Sequence, residues 1–134
     1  MMTTALQTPP LKTEDLLIGV LAVLSLRGKD SLKTTDKVFH SAFGAALDVF
    51  KNNDTRLARL AEAYYPDVVS NTYDELNHAL IAAESYSLLR FPNPSYTRLQ
   101  ITMTPRVATT LLGTYGDKEV FERAAEVLLE RLAG

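Results

Sequence analysis

The sequence predicts a mainly α-helical protein with one small β-hairpin, and three observations carry that prediction. Apolar residues recur at helical spacing along most of the chain. One stretch, Ser87 to Met103, switches instead to short apolar runs and period-two alternation around the turn cluster Pro92-Asn93-Pro94-Ser95. Finally, 134 residues at 46% hydrophobic content, without repeats or low-complexity tracts, suit one domain with one core. The expected division is a flexible N-terminal arm, 1–12, and a single domain, 13–134.

Composition also excludes whole classes of function. There is no cysteine, so disulfides and thiolate metal sites are ruled out. The longest apolar run, Leu16 to Leu26, is too short to span a bilayer, and Glu14 and Asp15 precede it where a signal peptide would carry positive charge. The expectation is a soluble, cytoplasmic protein with no membrane contact. A formal charge of -2 is not that of a strongly basic nucleic-acid binder, but the charge is unevenly placed. From Ser85 to Gly116 there are three arginines, Arg90, Arg98 and Arg106, and no acid, whereas the last helix region holds Asp117, Glu119, Glu122, Glu126 and Glu130.

Taken in order, Met1 to Lys12 reads as the arm, with Pro9-Pro10 and little apolar content. Thr13 can cap a helix whose first turn holds Glu14 and Asp15, where negative charge meets the positive end of the helix dipole. This helix is apolar on nearly every side, so it is either central to a core or shared with a partner chain. Gly28 ends it, and a basic loop follows with Arg27, Lys29, Lys33 and Lys37 against Asp30 and Asp36. The second helix begins near Thr34 or Thr35 and runs to about Lys51, burying Val38, Phe39, Ala42, Phe43, Ala46, Leu47 and Phe50. Its small residues Ser41, Gly44 and Ala45 would let another backbone approach. A short third helix starts at Asp54 or Thr55, places Leu57, Leu60, Ala61 and Tyr64 on one side, and stops before Pro66.

Thr72 stands three residues before Glu75, the spacing of a capping box, and predicts a helix from there to Tyr86. Leu76, Ala79, Leu80 and Ala83 form its buried face, and Asp74, Asn77, Ile81, Glu84 and Ser85 lie opposite. Strands are expected at Ser87–Phe91 and from Arg98, where Leu99, Ile101 and Met103 alternate with Arg98, Gln100 and Thr102. Thr104-Pro105 then fits an N-cap with proline at the first helical position. That helix closes at Gly113 or Gly116, and a last amphipathic helix runs from Asp117 to Leu132 with Val120, Phe121, Ala124, Leu128 and Leu132 on one side.

Tyr73, Leu76, Leu80, Glu84, Leu88 and Leu89, followed by Arg98, Leu99, Ile101 and the Thr104-Pro105 step, resemble the third helix and wing of winged helix-turn-helix transcriptional regulators. The pattern is similar to that of the PadR-like and MarR-like groups. The resemblance implies a winged helix-turn-helix with a C-terminal amphipathic helix, a wing at about 87–103, and a homodimer made by the helix after the wing. The chain departs from the pattern in two places: it has Ser85-Tyr86-Ser87 where glycine usually breaks the helix, and no Lys or Arg between Tyr73 and Tyr86.

Little in the sequence supports catalysis. His40 and His78 lie far apart, no Gly-rich phosphate loop or paired metal-ligand motif occurs, and no nucleophile has a visible base. A non-enzyme without cofactor or metal is expected. The sharper expectation is a regulator binding double-stranded DNA, with Tyr73, Asn77, His78 and Ile81 on the reading helix and Arg90, Tyr96 and Arg98 on the wing. Against it, Asp74 and Glu84 would repel phosphate, Asn77 and His78 can be plain solvated positions, and Tyr96 can pack on Pro94. The alternative is a non-enzymatic interaction or assembly module, because fold alone does not fix function. A DNA binder should join the wing arginines to Lys29, Lys33 and Lys37 in one positive surface, whereas an interaction module should expose an apolar patch.

Overall fold

The computed structural model describes residues 11–52, 56–67, 69, 72–91 and 98–133, apart from the side chain of residue 36. The described residues form α1 (Glu14–Leu26), β1 (Ser31–Lys33), α2 (Asp36–Lys51), α3 (Arg56–Ala61), α4 (Asp74–Ser85), β2 (Leu89–Arg90), β3 (Arg98–Ile101), α5 (Pro105–Tyr115) and α6 (Lys118–Ala133). The protein is thus mainly helical with a small antiparallel sheet, and no helix among the described residues is long and apolar enough to cross a membrane.

The uniformly apolar α1 is central to the core. Leu16 to Leu24 are all buried, enclosed by α4, α5 and α6, with α3 at one end. Gly19 makes the α1–α6 contact possible, since a Cβ there would lie 2.2 Å from the Phe121 ring. The α6 helix also packs along α2, through Val120, Phe121, Ala124, Ala125 and Leu128. On α2, the small-residue side receives Tyr73, whose hydroxyl would sit 2.5 Å from a Cβ on Gly44. Of the features that suited a homodimer, α1 and the apolar side of α6 are covered within one chain, whereas on the small-residue side of α2 Ser41 is exposed and Gly44 and Ala45 are half-buried. Val38, expected in the core, is 46% exposed. It lies in the first turn of α2, one position outside the stripe that Phe39, Phe43 and Phe50 bury.

Several local expectations need correction, each for a hydrogen-bonding reason. Thr13 does not cap α1, because its hydroxyl donates to Glu75 Oε2 at 3.0 Å. The capping box fails with it: Glu75 is held by Thr13, and the N-cap of α4 is Tyr73, one residue later than expected. Tyr73 stays extended because it bridges Pro66 and gives its amide to His40 Nδ1 at 2.9 Å. By contrast, Thr35 caps α2 through the Val38 amide, and Thr104 caps α5 through the Val107 amide. At the start of the described residues, Leu11 packs on the core, and the Lys12 amide donates to Asp15 at 2.7 Å. The rest of the arm, the start of the third helix at Asp54 or Thr55, and the turn from Pro92 to Ser95 lie outside the described residues.

The sheet has three strands in the order β1-β3-β2, where the sequence suggested two. Ser31-Leu32-Lys33 is too short to show alternation, and it was hidden inside a basic loop. The hairpin strands are shorter than expected because α4 ends in a Schellman cap that uses the first residues. Ser87 takes φ 63°, its amide bonds Glu84 O, and the Leu88 amide bonds Ala83 O. The Leu88 amide being used in the cap, the regular ladder of β2 begins at Leu89. After Ile101, the amides of Thr102 and Met103 both turn to Leu88 O, which ends β3.

Candidate functional site

Pairing register decides what each side of this sheet carries, because side chains alternate between faces and directly paired residues share one. Leu32 pairs with Leu99, and Leu89 with Ile101; all four are buried against the core. The other face follows of necessity. Lys33 pairs with Arg98, Ser31 with Gln100, and Arg90 with Gln100. Lys33, Arg90 and Arg98 are exposed, and no carboxylate among the described residues is within ion-pair distance of any of them. Gln100 holds Arg90, accepting from its Nε at 2.9 Å through Oε1.

Two cations directly across an antiparallel pair, with Cβ atoms about 5 Å apart, repel one another. Folding has no use for that arrangement, and a bound polyanion would relieve it. Lys33 thus joins Arg90 and Arg98 in one surface. Lys37 lies elsewhere, beside Val38 and Arg131 at the α2–α6 edge. Lys29 follows Gly28 in the turn before β1, where its amide bonds Leu24 O.

The outward face of α4 is built differently. Its expected reading residues are partly committed to the interior by His40, which is fully buried on α2. Because Nδ1 of His40 accepts the Tyr73 amide, Nε2 must carry the proton and donate, and its partner is Asn77 Oδ1 at 3.1 Å. The Tyr73 ring stacks on His40 with centroids 6.2 Å apart. The two histidines, neither expected to serve catalysis or a metal and His78 expected on the reading helix, are unlike: His40 orients Tyr73 and Asn77, while His78 is exposed beside Glu75, 3.7 Å away. Ile81 is 65% exposed. Tyr96 lies outside the described residues.

Asn77, Leu80, Ile81 and Glu84, at helical spacing on α4, form one wall of a cleft of about 520 Å³. The opposite wall is Thr34, Thr35 and Phe39 at the β1–α2 junction, with Phe91 at the end of β2. Sequence reasoning missed both this cleft and the place of Lys33, since each depends on β1. No group of three or more His, Asp or Glu able to hold a metal occurs among the described residues. The strongest electrostatic perturbations lie inside the fold. Burial first, and then Glu75, Glu14 and Asp15, push the Tyr64 phenol well above its ordinary range, and it donates to the Thr13 carbonyl. Burial and then Asp15, to which it donates at 3.0 Å, do the same for Tyr115. These phenols hold α1 to its neighbours and are remote in role from the sheet face.

No protein-family model matches the chain, no curated protein matches it, and no solved structure matches it.

Proposed function

We propose that this protein is a winged-helix DNA-binding regulator that grips the duplex backbone through the outer face of its β-sheet. The observation that carries the reading is the Lys33–Arg98 pair with Arg90 beside it, three exposed cations on one sheet face with no carboxylate among the described residues within ion-pair distance. Such a face matches the phosphates of a duplex, and phosphate contacts supply most of the affinity of non-specific binding. The element order, a helix and strand, then helices, then a hairpin whose second strand pairs with the first, suits a winged helix-turn-helix. A cytoplasmic location belongs to the same proposal.

Base reading falls to the exposed residues of α4, His78 and Ile81, and to the free donors of Asn77. Because Asn77 Oδ1 is taken by His40, a paired contact with adenine requires that bond to open. The expected binding is therefore strong in its salt dependence and modest in its sequence preference. The reading does not rest on a homodimer, since Lys33, Arg90 and Arg98 share one sheet face within a single chain. Fluorescence anisotropy with random-sequence duplex at two salt concentrations tests it. Affinity that falls steeply with salt is expected; absence of binding at low salt would favour the assembly module, for which the exposed Ile81 beside the cleft speaks.

A further inference from the structure

The cleft between α4 and the end of the sheet is a second site: it shares Asn77 and Ile81 with the proposed base-reading surface but is lined by none of the three cations of the sheet face. Its walls are apolar where they are deepest: Phe39 and Leu80 are buried at its base, and Ile81 and Phe91 flank it. About 520 Å³ is the volume of a small-molecule site. Its polar groups are few and of definite character. Glu84 is exposed at the rim, and no cation among the described residues is within ion-pair distance of it. Asn77 has its carbonyl fixed by the His40 Nε2–H, so what it can offer the cleft is its amide nitrogen, which has no acceptor among the described residues.

We propose that this cleft binds a small aromatic amine: the ring lies between the Phe39–Leu80 base and the Ile81–Phe91 flank, and the ammonium pairs with Glu84. Charge decides the class. Among the described residues, Glu84 is the only ionised side chain lining the cleft, so a cation is attracted and an anion repelled.

Tryptamine, tryptophol and indole-3-propionate share one ring and differ in the charge of the side chain. The protein contains no tryptophan, so indole fluorescence anisotropy reports the probe alone. Tryptamine is expected to bind about fivefold more tightly than indole-3-propionate, with tryptophol between them, as an exposed ion pair allows. In Glu84→Gln the three affinities converge while that of tryptophol is unchanged. Equal binding of the three probes to the wild type, an unaltered preference in Glu84→Gln, or no binding by any of them at millimolar concentration overturns the proposal. Binding of duplex DNA plays no part in this readout, so the two sites stand or fall separately.

Discussion

The two faces of the three-stranded sheet come from the same few residues and obey opposite rules. Inward, Leu32, Leu89, Leu99 and Ile101 pair apolar with apolar and are nearly inaccessible to water. Outward, Lys33 and Arg98 pair cation with cation. The first arrangement is what folding selects, since each buried aliphatic side chain contributes about 1.5–3 kcal/mol. The second opposes folding slightly. A feature that stability does not explain, set on a framework that stability explains well, is where function is to be sought. Helix α4 repeats the contrast: Leu76, Ala79 and Ala83 are buried, while Ile81 stays exposed beside Glu84.

Substitutions can break or sharpen that contrast. The largest effect is expected on the inner face: Leu99→Ala, at a fully buried position, should destabilise by about 2–5 kcal/mol in denaturant titration. A loss under about 1 kcal/mol would mean the sheet is not part of the core.

Next in size is the alkaline limb of stability. The Tyr64 and Tyr115 phenols have folded-state pKa values raised above the ordinary value of 10.0. Below that value both states keep the protons and stability is flat. Above it the unfolded chain ionises first, so stability falls as pH rises. The double variant Tyr64→Phe/Tyr115→Phe should be less stable at neutral pH, by about 1 kcal/mol per hydrogen bond lost. Its melting temperature should decline less steeply between about pH 9 and about pH 11. An unchanged decline would place the alkaline sensitivity elsewhere.

Smaller still is the corner between α4 and β2. Helices α1 and α4 end in the same hydrogen-bond pattern, with Gly28 at φ 77° in one and Ser87 at φ 63° in the other. Serine in the left-handed region costs about 1 kcal/mol, so Ser87→Gly should stabilise by that order in thermal unfolding. A destabilised Ser87→Gly would show that the serine side chain holds this corner. The smallest effect is on the outer face, where Lys33→Gln should leave stability unchanged or raise it by a few tenths of a kcal/mol. A clear loss there would make the cation pair structural and remove the basis of the functional reading.

Much of this architecture was legible in the sequence because its cause is local. Helical periodicity located α1, α2, α4 and α6, and Thr35, Thr104-Pro105 and Gly28 marked ends that the structure keeps. What failed depended on partners distant in the chain. Thr13 and Glu75 looked like two separate caps, yet they bond each other across the fold. Asn77 read as a solvated polar residue or a base reader, although a histidine on α2 holds it. Lys33 was one lysine in a loop until strand register set it opposite Arg98, and three residues cannot announce a strand by alternation.

The most direct test is the salt dependence of duplex binding by the wild type and by Lys33→Gln/Arg90→Gln/Arg98→Gln. If the three cations each neutralise a phosphate, the slope of log affinity against log salt should flatten by about 3 in the triple variant, with helicity and melting temperature retained. Equal slopes for a folded triple variant and the wild type would contradict the assignment of this face as the DNA-binding surface.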